Sequence, residues 1–405
     1  MGYLSAFQVT EALTMLASDF ASTSTMIDLA STSGGNAVHA LAMHDQFVAD
    51  RTPVLIIGGV HAREWAPPDA LVGFVDRLLH SRRFGTDIVY PAFTSAGIIY
   101  SDPNYTIPAD EVADIFDRFE LIVLPLVNPD GRDFSLQATN NDDKKWRKNR
   151  RRVQPQGGPR CVGVDINRNF PIAWFHRDFY QPKAADLAAV SEKPCEPQLF
   201  KGPDQNSEIE TQNVANLALD RKVQAFIDVH MTGRLIQYPW GLDRNQSIDQ
   251  DQAFHNVDRN HLPAVPLSGR DGLLGDAYGE FMPEDLLTRL KAIAAAMSEE
   301  ILISAGASPL AKLRSTYQVL QSVEAGRFPN ETFVGCSDDF VFSRQFVNDD
   351  MPECVSFTIE SGLELGQRAD SPLDDDGGFF PDFVTQFPKV EREIHAALFA
   401  LLRSL

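Results

Sequence analysis

Apolar residues along this chain fall into short continuous runs and into stripes of helical period. Residues 52–60 (TPVLIIGGV), Leu121–Val127, Ala225–His230 and Cys354–Glu360 are runs of strand length and predict four buried strands. From Pro67 onward Leu71, Phe74, Val75, Leu78 and Leu79 recur at i, i+3, i+4, i+7 and i+8, which predicts a helix with one face on a sheet. Leu290, Ile293, Ala294, Met297 and Ile301 predict a second such helix, ending near Gly306. Val390, Ile394, Leu398, Leu401 and Leu402 predict a last one. Residues 8–30 read as a polar-faced helix followed by a short connection. Asn128-Pro-Asp-Gly131 reads as a turn, and Ser207 with Glu210 as a capping box for a helix running to about Arg221. Strands alternating with helices make this an α/β chain. Residues 85–118 and 242–283 are rich in turn formers and read as loop-like insertions at the mouth of a cleft. An acidic loop lies around Asp374–Asp376. No repeat or low-complexity linker divides the chain, so one domain over residues 1–405 is expected.

Composition narrows the function classes. A net charge of −20 disfavours nucleic acid and anionic membranes as partners, because phosphate contact needs a basic face. There is no run of about 18 apolar residues to span a bilayer. The N-terminal residues lack a basic segment, a continuous apolar stretch and a small-residue cleavage site, so no secretory signal is visible. The four cysteines allow three pairings, and chain order favours Cys161–Cys195 and Cys336–Cys354. Two disulfides would suit an oxidising, secreted or periplasmic setting, in tension with the missing signal.

Chemistry-bearing residues stand at the ends of the predicted strands. The first run turns on Gly58-Gly59 and presents His61 and Glu64, three positions apart and able to reach one ion. By itself H-x-x-E is a common pattern. His230 ends the third strand and Glu360 the fourth, where α/β folds place ligands. Residues 144–152, KKWRKNRRR, hold seven cations in nine positions. In so acidic a chain, such a loop suits an anionic group of a substrate. Asn167, Arg168 and Asn169 form a polar cluster after another short apolar run.

Five segments in order, GGVHAREW at 58–65, WRKNR at 146–150, CVGVDINRNF at 161–170, FIDVHMTG at 226–233 and SFTIESG at 356–362, resemble the zinc metallocarboxypeptidases of the carboxypeptidase A/B type. The likeness runs from about Tyr3 to Leu402. It implies a mixed central β-sheet flanked by helices on both faces and one zinc ion per chain, held by His61, Glu64 and His230. Two imidazoles and a carboxylate are a known catalytic zinc set with a fourth position open to water. The resemblance further implies Asp165 as the residue orienting His61, Glu360 as general base, and Arg147 as the cation on the scissile carbonyl. It assigns Asn167 and Arg168 to the substrate's terminal carboxylate, and Arg63 to a weaker contact along the peptide. The expected activity is removal of single residues from peptide or protein C-termini by a monomer.

Two departures accompany the likeness. The family's mobile clamp tyrosine, counted back from Asp339-Phe340, falls on Glu331; with a short insertion its counterpart is Phe328, and Tyr317 is the nearest tyrosine upstream. The chain also begins close to the catalytic part, without the inhibitory prosegment many relatives carry. Asp338 matches the base of the side-chain pocket, where a carboxylate favours C-terminal Lys or Arg, or a mixed preference. Two alternatives stay open: a related zinc peptidase acting on γ-glutamyl or cell-wall peptides, and a catalytically silent relative that binds peptides.

Overall fold

The computed structural model describes residues 2–44, 50–153, 160–178, 188–256, 279–326, 331–364 and 378–405. Its centre is an eight-stranded mixed sheet. In chain order the strands are β1 (Ser24–Leu29), β2 (Val38–Met43), β3 (Thr52–Gly58), β4 (Phe119–Leu124), β5 (Ala225–Gly233), β6 (Leu235–Tyr238), β7 (Gln318–Gln321) and β8 (Val355–Glu364). They lie in the order β1-β2-β4-β3-β5-β8-β6-β7. The core quartet β4-β3-β5-β8 is parallel, and β1, β2 and β6 run against their inner neighbours. Continuous apolar runs form these inner strands because helices flank the sheet and both faces need burial. Leu55–Ile57, Phe226, Ile227, Phe357 and Ile359 are completely buried, each side chain contributing roughly 1.5–3 kcal/mol.

Helices α1 (Ala66–Phe84), α2 (Glu284–Ser304) and α3 (Phe387–Ser404) carry the three predicted stripes, and α3 packs on both of the others. On strand β5 residues alternate in direction, so Asp228 and His230 share one face. Helix α4 (Ser337–Ser343) lies against β5 and β8 and meets Asp228 and Ser356 of that face. No helix among the described residues is long and apolar enough to cross a membrane.

Several local expectations are corrected. Residues 8–30 divide into a helix, Ala6–Asp19, and the outer strand β1. Strand β1 pairs antiparallel with β2, a partner that a local reading does not supply. Asn128-Pro-Asp-Gly131 is the start of a helix, Pro129–Gln137: Asn128 Oδ1 accepts from Gly131 N at 2.9 Å. The Ser207–Glu210 capping box does not form. Ser207 Oγ donates to Glu208 Oε1 at 2.7 Å, Glu208 is the N-cap, and the helix runs Ile209–Asp220.

Residues 85–118 are structured as two short hairpins and a helix, Ala109–Arg118. They face the helical layer, not the cleft. Tyr90 Oη bonds His395 Nδ1 at 2.6 Å, Tyr105 Oη donates to Glu300 at 2.8 Å, and Ser101 N donates to Ala305 O at 3.0 Å. The insertion at 242–283 lies in large part, and the loop at Asp374–Asp376 entirely, outside the described residues. Cys161 and Cys195 form a disulfide as expected, whereas Cys336 and Cys354 are buried free thiols. Cys336 caps α4 beside Arg168 and Cys354 abuts β8, so adjacency in sequence did not bring them together.

Candidate active site

Three parallel strands deliver the centre. Strand β5 lies between β3 and β8, in register so that Val229 faces Gly58 and His230 faces Glu360. After β3 the chain turns at Gly59, whose φ of +64° is a left-handed conformation. A Cβ there would stand 2.8 Å from Leu126 Cδ1. The turn throws His61 and Glu64 over the strand ends. Asn128 Nδ2 pins it by donating to Val60 O and to Lys148 O, so one amide joins the histidine loop to the basic loop.

His61, Glu64 and His230 are all buried, and one ligand atom from each lies within 4.8 Å of the others. His61 Nδ1 is 2.7 Å from Glu64 Oε1, His230 Nδ1 is 2.9 Å from Glu64 Oε2, and the two imidazole Nδ1 atoms are 3.1 Å apart. Ligands about 2.0–2.2 Å from one ion at tetrahedral angles stand roughly 3.3–3.5 Å apart. The set is thus close to zinc geometry, slightly contracted. Two ring nitrogens and a carboxylate converge on one point, and these residues fit zinc, which both nitrogens would ligate once deprotonated. Burial alone would raise the Glu64 carboxyl; His61 and His230 overcome it and hold it well below the ordinary range.

Asp165 is fully buried. Its Oδ1 stands 3.4 Å from His61 Nε2 and its Oδ2 accepts from Arg147 Nε at 2.9 Å. Burial opposes its ionisation, but Arg147 and His61 prevail and hold the carboxyl far below normal. Glu360 shows the opposite balance. Burial lifts it to about 8; His230 and Arg147 pull it down, while Glu64 and Asp228 push it up. A carboxyl at this place beside the triad can take and return a proton.

A cavity of about 360 Å³ opens beside the triad. His61, Arg63, Arg147, Asn167, Arg168, Asp338 and Glu360 all line it, so every residue named from sequence for substrate contact reaches one space. Arg168 is fixed in plane: Nε donates to Ala189 O at 2.5 Å and a terminal nitrogen donates to Asn167 O. Asn167 Oδ1 accepts from Ser337 N at 2.8 Å. Arg63 donates to Gln198 Oε1 at 2.7 Å and lies 4.3 Å over the Phe379 ring. Asp338 is buried and accepts from Ser322 Oγ at 3.2 Å, with Thr358 also bonding it. Burial raises its carboxyl. No Lys or Arg among the described residues forms an ion pair with it.

Of the basic loop only Arg147 faces the cavity. Lys148 donates to Glu196 O at 2.5 Å, Arg150 lies 3.6 Å over the Phe134 ring, and Arg151 pairs with Glu208 at 2.6 Å. Tyr317 is excluded as a clamp because it is buried with its hydroxyl 3.1 Å from Glu393. Glu331 lines the cavity, and Phe328 lies outside the described residues. Missed from sequence were Ser322 and Thr358, which carry no motif, and Asp228. Asp228 was visible as D-x-H on one strand, a spacing that points both side chains the same way.

A buried two-histidine, one-carboxylate centre at the ends of parallel strands, with an ionisable carboxylate and guanidinium groups around one cavity, defines a mononuclear metal-dependent hydrolase-type site. The family model described as Zinc carboxypeptidase matches residues 9–381, and the chain belongs to that family, with zinc as the metal of the His61–Glu64–His230 set. Among curated relatives it is 28% identical over 195 residues to Carboxypeptidase B of Astacus astacus, covering 48% of this chain and 50% of that one. To Carboxypeptidase A2 of Rattus norvegicus it is 31% identical over 193 residues, covering 47% and 36%. The chain thus spans half or less of these relatives' length. Carboxypeptidase A from Helicoverpa armigera superposes with a TM-score of 0.64 at 19% identity, over 99% of this chain and 74% of that one. Bovine thrombin-activatable fibrinolysis inhibitor gives 0.64 at 17%, over 99% and 96%. These likenesses establish the fold.

Proposed function

We propose that this chain is a zinc-dependent exopeptidase that removes single residues from peptide C-termini, with Lys or Arg, or a mixed set including them, preferred at the end. The observation that carries this reading is the cavity beside the triad, which combines guanidinium groups, Asn167 and Glu360 with a carboxylate, Asp338, in its wall. Relatives named carboxypeptidase A and carboxypeptidase B fit the same reaction and leave the preference open.

When bound, zinc supplies a water of lowered pKa and Lewis-acid polarisation of a carbonyl. The chain's own groups do the rest. Asn167 and Arg168 hold the terminal carboxylate, which restricts attack to the last peptide bond. Arg147, fixed by Asp165, donates to the carbonyl oxygen as it gains charge. Glu360 takes a proton from the attacking water and returns it to the departing amine. Arg63 contacts the peptide further along, and Asp338 meets a cationic terminal side chain.

Digestion of a peptide library, followed by reading which C-terminal residues disappear, tests the proposal. The expected result is loss of one residue at a time, abolished by a chelator and reduced at least about 10²-fold by Glu360→Gln. Internal cleavage, or activity indifferent to chelation, would overturn it. A parallel assay on a γ-glutamyl peptide separates the side-chain-linked alternative, and zinc binding without hydrolysis would mark a silent binder.

A further inference from the structure

We infer that Asp228 is a positioning residue for the zinc ligand His230, the counterpart on strand β5 of Asp165 behind His61. Asp228 Oδ2 lies 2.9 Å from His230 Nε2, with both side chains buried, on the side of the ring away from Nδ1. The contact follows from the strand itself. Residues two apart on β5 point the same way, so an aspartate at 228 and a histidine at 230 stand side by side on one face.

A carboxylate at Nε2 keeps the proton on that nitrogen, leaves Nδ1 free as a ligand and fixes the ring's rotation. Asp228 is itself held from behind, since Ser337 Oγ donates to the same Oδ2 at 2.6 Å. Ser337 N in turn donates to Asn167 Oδ1 at 2.8 Å, and the next residue is Asp338. Asp228 therefore couples the metal ligand on β5 to the helix start that carries the pocket's acidic wall.

A structural reading of Asp228 as an ordinary buried polar residue explains less. Its Oδ1 is buried with no hydrogen-bond partner among the described residues, and His230 Nε2, although 2.9 Å from Oδ2, is out of line for a hydrogen bond to it. An incompletely paired buried carboxylate is costly, and Ser337 alone does not offset that cost. A dication held by His230 Nδ1 would help to offset it through the polarised imidazole.

The test is zinc affinity, measured by competition with a chelator, together with the imidazole N–H protons of zinc-loaded protein labelled with 15N-histidine. Asp228→Asn, close in volume, is expected to weaken zinc binding roughly 10–100-fold and to lose the far-downfield, hydrogen-bonded Nε2–H signal of His230 while that of His61 stays. Zinc affinity within twofold of the parent would overturn the inference. If the variant does not fold, the parent decides: a zinc-loaded protein in which His230 lacks a hydrogen-bonded Nε2–H overturns it as well. Neither readout depends on peptidase activity.

Discussion

Arg147 and Asp338 show how single side chains at this site depend on what stands behind them. Asp165 receives the Arg147 Nε at 2.9 Å and stands 3.4 Å from His61, so one buried carboxylate aligns a donor and a metal ligand together. Arg147→Ala should lower kcat/KM by about 10²–10³; a loss smaller than tenfold in steady-state kinetics would place the arginine outside the reaction. Lysine at 147 would keep the charge but lose the fork that meets Asp165. Asp338 sits in the cavity wall with Ser322 Oγ and Thr358 as partners. Asp338→Ile should shift the ratio of kcat/KM for Arg-ended over Phe-ended peptides by at least about 10²-fold toward Phe. An unchanged ratio would mean that another group reads the terminal side chain.

At the scale of elements, the helix at 209–220 carries a buried electrostatic load at its first turn. Asn149 Nδ2 donates to Glu208 Oε2 at 2.8 Å and to Glu210 Oε2 at 3.2 Å, and Glu210 Oε1 has no partner among the described residues. Burial lifts the Glu210 carboxyl from the ordinary 4.5 to about 7. Because the folded state favours the protonated form, this group's contribution is full below about 4.5 and is lost as pH rises through 7. Glu210→Gln should therefore raise Tm more at pH 8 than at pH 5. Equal shifts in thermal melts at the two pH values would refute this. The same stretch shows why local signals misled. Ser207 and Glu210 have the spacing of a capping box, but Asn169 Oδ1 takes Glu208 N at 3.0 Å and the pattern is diverted. Asn128 acts as a cap instead of a turn residue for the same kind of reason: its Nδ2 is claimed by carbonyls from two other loops.

Across the whole molecule, residues 85–118, read as a loop-like insertion at the cleft mouth, brace the helical layer. Glu393 on α3 is buried, with Lys389 Nζ at 2.7 Å, Tyr317 Oη at 3.1 Å and Arg392 at 3.5 Å. Arg392 also donates to Ser101 of the insertion at 3.2 Å. Glu393→Ala leaves the buried Arg392 and the half-buried Lys389 without their carboxylate and should cost about 3–5 kcal/mol in denaturant unfolding. A loss under about 1 kcal/mol would show that the network is incidental.

The inner strands and the three helical stripes were legible in sequence because burial on both faces of a parallel sheet, or along one face of a helix, forces continuous or periodic apolar patterns. So was the metal set, since His61 and Glu64 follow the turn after one apolar run and His230 closes another, although strands β5 and β8 run on past His230 and Glu360 to Gly233 and Glu364. Tertiary structure decided what no local pattern encodes. It left Cys336 and Cys354 unpaired, paired β1 with β2, and turned Lys148, Arg150 and Arg151 away from the cavity while leaving Arg147 in it. Periodicity reports which side of an element is buried, but the partner met there is chosen by the packing of distant segments.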